Sequence, residues 1–162
     1  MSETRIEPAT VEDLPQLAEL LHDLFSTEAD FKPDTAKQLR GLQLIIEQPN
    51  RGRIFVLRTH GKILGMINLL FTISTAEGGS VIILEDLVIS HDHRGMGFGS
   101  QLIEYAKEFA RQKDFLRITL LTDRPDEMSK HFFHRHSFHE SKMVPMRWLT
   151  QTPAVQHDPA AL

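Results

Sequence analysis

Arg94-Gly95-Met96-Gly97-Phe98-Gly99 stands between a β-branched run, Val81 to Ile89, and an amphipathic run, Gly99 to Arg111. It therefore reads as a strand-to-helix turn. Three glycines at alternate positions permit positive φ and leave no Cβ in the way. Successive backbone N–H groups can then converge on one guest, and the following helix adds its unpaired N-terminal donors. Arg94 places a full positive charge at the mouth. The guest such a cradle suits is a phosphate or pyrophosphate. Neither familiar phosphate motif matches: Walker A needs Gly-Lys-Ser/Thr after four spacers, and the dinucleotide fingerprint needs a third glycine where Leu102 stands.

The 162 residues, 41% hydrophobic and 25% charged, suit one soluble domain that buries its core without disulfides or a structural metal. The chain has no cysteine, which excludes thiolate metal sites and a cysteine acyl-enzyme. With neither a signal-like segment nor a membrane-length apolar run, a cytoplasmic location is the expectation. A net charge of −4 argues against general nucleic-acid binding and mildly favours cationic amines.

Outward from the cradle, the pattern predicts a first strand over Thr4 to Pro8 and a helix capped by Thr10 with Asp13. That helix carries Leu14, Leu17, Ala18, Leu21, Leu24 and Phe25 at helical spacing. A second helix begins near Asp34, carries Leu39, Leu42, Ile45 and Ile46, and stops at Pro49-Asn50. Arg53 to Thr59 and Lys62 to Thr75 read as strands joined by a hairpin at His60-Gly61. Glu77 to Ser80 turns the chain into the strand Val81 to Ile89. Beyond the cradle helix come a strand over Leu116 to Thr122, a short helix from Asp126 to about His136, and a further strand over Phe138 to Leu149 interrupted by Pro145. Residues 1–149 form the expected domain and 150–162 a loose tail. This order of elements indicates an α/β or α+β sandwich on a mixed, mostly antiparallel sheet flanked by helices.

Read with its flanks, the stretch Ile83-Leu84-Glu85-Asp86-Leu87-Val88-Ile89-Ser90-His91-Asp92-His93-Arg94-Gly95-Met96-Gly97-Phe98-Gly99 resembles the acetyl-CoA-binding motif of the GCN5-related N-acetyltransferases, the GNAT family. Arg94, Gly97 and Gly99 meet the family's R/Q-x-x-G-x-G/A core, and the likeness runs from about Arg5 to Trp148. The resemblance implies that two central parallel strands, Val81 to Ile89 and Leu116 to Thr122, splay apart to admit the pantetheine arm of acetyl-CoA (coenzyme A). The backbone of Leu87, Val88 and Ile89 would then pair with its amides. It further implies that Arg94 and the amides of Gly95, Met96, Gly97, Phe98, Gly99 and Ser100 hold the pyrophosphate. Ser129 matches a position near the pantetheine or phosphates. Asp126 matches one that touches the cofactor, though it reads equally as a helix N-cap. Arg135 is a candidate for a cofactor phosphate or a plain surface arginine. Glu28, Asp30 and Phe31, between the first two helices, border the acceptor site in the family. Homodimers are common there.

Acetyl transfer to an amine needs a base for the amine, and Glu85 is the candidate, matching an acidic strand position used by polyamine acetyltransferases among others. Its alternative role is structural. Asp86, on the opposite face of a regular strand, is the second choice, although the family's usual bulge there changes that parity. The family's late-helix pattern F-Y-x-x-x-G-F is here Phe132-Phe133-His134-Arg135-His136-Ser137-Phe138. Phe133 replaces the tyrosine that commonly protonates the departing thiolate, so Ser129, His131, His134 or a water is the candidate for that proton, unless the thiolate leaves without an acid. Ser137 replaces a glycine at a turn that favours positive φ. His91, His93, His131, His134, His136 and His139 do not follow a zinc spacing such as H-E-x-x-H, so no metal is expected. The expected function is transfer of acetyl from acetyl-CoA to a primary amine of a small molecule, a polyamine or amino-acid derivative, by direct attack in a ternary complex. A protein or peptide acceptor is the alternative enzyme reading, and a noncatalytic acyl-CoA-binding module the alternative outside enzymes.

Overall fold

Five strands lie in chain order across one sheet: β1 (Arg5–Pro8), β2 (Gly52–Thr59), β3 (Lys62–Ser74), β4 (Gly79–Ile89) and β5 (Ile118–Leu120). All neighbours are antiparallel except β4 and β5, which run parallel. The computed structural model describes residues 3–26, 34–122 and 126–151. Helices α1 (Leu14–Ser26) and α2 (Thr35–Ile46) close one face over Ile54, Val56, Ile63, Met66 and Val88. On the other face α3 (Phe98–Gln112) packs on Phe55, Leu57, Leu64, Ile67, Leu69, Ile82 and Leu84, with Phe132 and Phe133 of α4 (Glu127–Arg135) against the same layer. Among the described residues no helix is long and apolar enough to cross a membrane.

Local chemistry sets the element ends. The Thr10 amide donates to Asp13 Oδ2 at 2.9 Å, opening the 3-10 turn that leads into α1. Asp34 caps α2 by accepting from the Lys37 amide at 3.1 Å. His60 and Gly61 have φ of 47° and 77°, the pair of positive values that a two-residue hairpin turn needs to match strand twist. Asp13 is buried, and Arg58 of β2 grips both its oxygens, at 3.0 and 2.9 Å, while its Nε donates to Glu7 of β1 at 2.7 Å.

The β3–β4 register jumps by one residue: Asn68 pairs with Asp86, but Leu69 pairs with Leu84, so Glu85 is the extra residue of a β-bulge. Ile82 and Leu84 before it face α3, and Leu87 and Ile89 after it face α3 as well. Residues of a strand alternate faces, so Glu85 and Asp86 both fall on the α1 and α2 face. The opposite-face placement expected of a regular strand is thereby corrected.

Two expected strands come out differently. The one after α3 is confined to Ile118–Leu120, shorter than Leu116 to Thr122. Residues 138–149 contain no strand at all, and Met143, Val144, Met146 and Trp148 stand exposed. The polar run His139 to Lys142 offers no face to bury, Pro145 lacks the N–H a ladder requires, and β5 is too short to template a long neighbour.

Helix α4 ends in a Schellman motif. Ser137 N–H reaches His134 O at 3.0 Å and Phe138 N–H reaches Phe133 O at 3.0 Å, with the Phe133 and Phe138 rings 5.6 Å apart. Ser137 is the residue forced left-handed, at φ 68°, where the family's pattern has glycine. Its side chain is exposed and its Cβ strained, so Ser137→Gly is expected to stabilise the protein by about 1 kcal/mol. For a chain this size that is a rise in melting temperature of about 3 °C by calorimetry.

Candidate active site

The parallel pairing of β4 with β5 covers Ile82 to Leu84 against Ile118 to Leu120 and then ends. Strand β4 runs on to Ile89, paired to β3 alone. Among the described residues the backbone of Leu87, Val88 and Ile89 therefore offers an open flank inside the sheet, of the kind an extended chain of amides can join. Glu85 is the first residue past the fork and is exposed. Asp86, beside it on the same face, accepts from Asn68 Nδ2 at 3.0 Å. Asn68 itself is 2% exposed, with no partner for its Oδ1 among the described residues. A polar residue in the middle of the apolar run of β3 was the sequence signal for this side chain.

At the end of β4 the chain makes a 3-10 turn, His91–His93, and enters the cradle. Gly95 and Gly97 have φ of 76° and 84°, conformations that side chains rarely adopt, which is why glycine stands at both. Gly99 is different: it lies inside α3, and a Cβ there would make only an ordinary contact, 3.4 Å from the Phe132 ring. The helix begins at Phe98, and the Gln101 N–H donates to Gly97 O at 3.1 Å. The N–H groups of Phe98, Gly99 and Ser100 thus have no acceptor within the helix and are available to an anion. Phe98 packs into the layer beneath α3, whereas Met96 is 59% exposed at the loop tip. Arg94 is exposed, its Nε donating to Ile89 O at 3.2 Å, which holds the guanidinium where the open strand meets the cradle.

Helix α4 brings the remaining candidates. Asp126 is its N-cap, accepting from the Ser129 amide at 3.0 Å and the Ser129 hydroxyl at 2.6 Å. These bonds, led by the Ser129 hydroxyl, outweigh partial burial and hold the Asp126 carboxyl below its ordinary value. His131, His134 and Arg135 are exposed, the Arg135 guanidinium lying 5.9 Å from the Phe132 ring centre. Phe133 is half-buried between Phe132 and Phe138 and has no proton to give. Tyr105 packs edge-on against Phe55 at 4.9 Å between centroids. Glu28, Asp30 and Phe31 lie outside the described residues. Among the described residues no three histidine or carboxylate side chains converge as a metal site.

One grouping was not foreseen from the sequence. Ser100 Oγ lies 2.9 Å from His136 Nε2, and His136 Nδ1 lies 2.8 Å from Glu104 Oε1. Only the i, i+4 spacing of Ser100 and Glu104 on one helix face hinted at it; the histidine arrives as the C-cap of α4.

The open flank past Leu84 and the unpaired amides after Arg94 together fit coenzyme A: amides for the pantetheine arm, a positive cradle for the diphosphate. Several solved structures share the fold. A possible acetyltransferase from Clostridium difficile 630 matches with a TM-score of 0.84 at 15% identity over 92% of this chain and 99% of the other. The aminoglycoside N-acetyltransferase AAC(6')-Iy, in complex with CoA, matches at 0.77 with 16% identity over 93% and 97%. An aminoglycoside acetyltransferase, meta-AAC0020, from an uncultured soil metagenomic sample, in complex with sisomicin, matches at 0.73 with 22% identity over 92% and 97%. At these identities the likeness is one of fold. No curated protein matches the sequence. Residues 14–138, from the start of α1 through the turn that ends α4, match the acetyltransferase (GNAT) family. On that match the chain belongs to the GNAT acetyltransferases, whose acyl donor is acetyl-CoA.

Proposed function

We propose that the protein transfers acetyl from acetyl-CoA to the primary amine of a small molecule, a polyamine or an amino-acid derivative, by direct attack in a ternary complex. The observation that carries this reading is the bulge at Glu85, which sets two carboxylates side by side on one face at the mouth of the fork. Acetyl-CoA supplies an activated thioester carbonyl. The amine nitrogen forms a bond to that carbonyl carbon, the carbon–sulfur bond breaks, and the proton lost by nitrogen passes to Glu85, directly or through water. Asp86, held by Asn68, adds negative charge that orients a cationic acceptor. With no cysteine in the chain, attack without an acyl-cysteine is the economical route, and holding donor and acceptor together supplies much of the rate.

The thiolate takes its proton from Ser129, His134 or water, Phe133 having none. A thiol pKa of about 8.5 makes this a tolerable leaving group near neutrality. Glu28 and Asp30 are further candidates to bind the cation.

A free-thiol release assay with acetyl-CoA over a panel of polyamines, amino-acid amides, an aminoglycoside and lysine peptides tests the reading. The aminoglycoside is included because two proteins of similar fold are aminoglycoside acetyltransferases. Polyamines or amino-acid amides are expected to give the highest kcat/KM. Turnover confined to peptides would replace this acceptor class with a protein one. Tight coenzyme binding with no turnover on any amine would reduce the protein to a binding module.

A further inference from the structure

The chain of hydrogen bonds from Ser100 through His136 to Glu104 joins the cradle to two titratable groups. Glu104, as a carboxylate, only accepts, so His136 Nδ1 carries a proton and donates it at 2.8 Å. The bond from His136, with help from Lys107 and against partial burial, holds the Glu104 carboxyl below its ordinary value, so it stays ionised near neutrality. The state of the other nitrogen, Nε2, then depends on pH. In neutral imidazole Nε2 is a bare acceptor, and the Ser100 hydroxyl must give it its proton across 2.9 Å. Ser100 then turns only lone pairs toward the cradle. In imidazolium Nε2–H donates to Ser100 Oγ, and the hydroxyl proton is released to point elsewhere.

Ser100 is in the first turn of α3, and its own N–H is among the unpaired cradle donors. The side chain of His136 is 14% exposed and its ring rests on Phe132 at 4.9 Å, so the imidazole is fixed in this position. The charged groups around it are Glu104 and Lys107 from α3 and Arg135 from α4. Lys107 Nζ donates to the His136 carbonyl at 3.0 Å, Glu104 Oε1 lies 3.4 Å from the same ammonium, and Arg135 lies over the other ring that His136 touches.

We propose that Ser100, His136 and Glu104 form a proton-linked clamp on the diphosphate of the coenzyme, with His136 a positioning residue that acts through the Ser100 hydroxyl. Protonation of His136 frees the Ser100 proton for a phosphate oxygen and brings a positive charge behind it. Deprotonation withdraws both. Coenzyme binding and proton uptake at His136 therefore favour one another, as linkage requires of two events that prefer the same state. The inference rests on the cradle reading given above.

The test uses the full chain and dephospho-CoA, which keeps the diphosphate but lacks the 3′-phosphate that would itself titrate. Calorimetry between pH 5.5 and pH 8.5, in buffers of different ionisation enthalpy, gives Kd and the protons taken up. The native protein is expected to bind about threefold or more tightly at the acid end, with a fraction of a proton taken up on binding. His136→Gln, which keeps a neutral hydrogen-bonding partner for Ser100, is expected to flatten both. Ser100→Ala is expected to do the same while leaving the His136–Glu104 bond intact, and serves if His136→Gln fails to fold. His91 and His93 remain in both variants, so their background is subtracted. An equal pH slope in the native protein and in either folded variant overturns the clamp while leaving the cradle standing. Failure of dephospho-CoA to bind at any pH overturns the cradle and the clamp together.

Discussion

Glu85→Gln is expected to lower kcat for acetyl transfer by about a hundredfold or more, with the affinity for acetyl-CoA nearly unchanged. The magnitude is that of losing a general base positioned to take a proton in the transition state. Glutamine keeps the size and the hydrogen-bonding capacity of the side chain but cannot accept a proton. Glu85 is the exposed residue of a bulge, so the replacement removes no core contact and should leave the fold intact. In the proposed mechanism the donor is held by other groups, the flank of Leu87 to Ile89 and the cradle amides, so its Kd serves as the control. Single-turnover rates with saturating acceptor, alongside calorimetric titration with coenzyme A, separate the two effects. Asp86→Asn is the informative companion: its expected signature is a higher KM for cationic acceptors with a smaller change in kcat. A Glu85→Gln protein with native kcat would remove Glu85 from the mechanism.

Arg58→Ala is expected to cost about 3 to 5 kcal/mol of stability, the range for leaving one member of a buried ion pair alone. Asp13 is 5% exposed, bound at both oxygens by Arg58 and also accepting the Thr10 amide. Burial alone would push the Asp13 carboxyl up, but the bonds from Arg58 and Thr10 together outweigh it and its pKa is lowered. The Arg58 guanidinium is pushed up, first by its bonds to Asp13 and then by Glu7, against its burial. A carboxyl lowered in the folded state contributes stability above its unfolded pKa, about 3.9, and loses it as pH falls through the folded value. In Arg58→Ala the buried carboxylate has lost its cation, so acid relieves the variant while it weakens the native protein. Urea unfolding at pH 7 and at pH 3.5 should show the gap between the two narrowing at the lower pH. A gap that is constant with pH would mean that Arg58 acts through packing alone.

Much of the fold was legible because its signals are local. Thr10 with Asp13, the helix start near Asp34, the His60-Gly61 hairpin and the glycines after Arg94 each depend on a few adjacent residues and on backbone conformations only some side chains tolerate. Ser137 is the same kind of signal read in reverse, a departure from glycine that shows up as a left-handed serine. The misread strand over Phe138 to Leu149 failed for the opposite reason: whether an apolar segment becomes a strand depends on a neighbour to pair with, and β5 supplies only Ile118–Leu120. The common face of Glu85 and Asp86 depends on a one-residue slip against β3, which periodicity within β4 cannot reveal. Ser100, His136 and Glu104 meet across sequence separations of 36 and 32 residues, and only the folded chain brings them together.

The parting of β4 from β5 has a consequence for what the protein turns away. An unpaired flank on a central strand is ordinarily an invitation to other polypeptides, and sheets usually blunt it with charge or cover. Here the gap begins next to two acidic side chains, Glu85 and Asp86. Glu85 and Asp86 thus put negative charge at the start of the bare edge, which discourages a second polypeptide strand from docking along it.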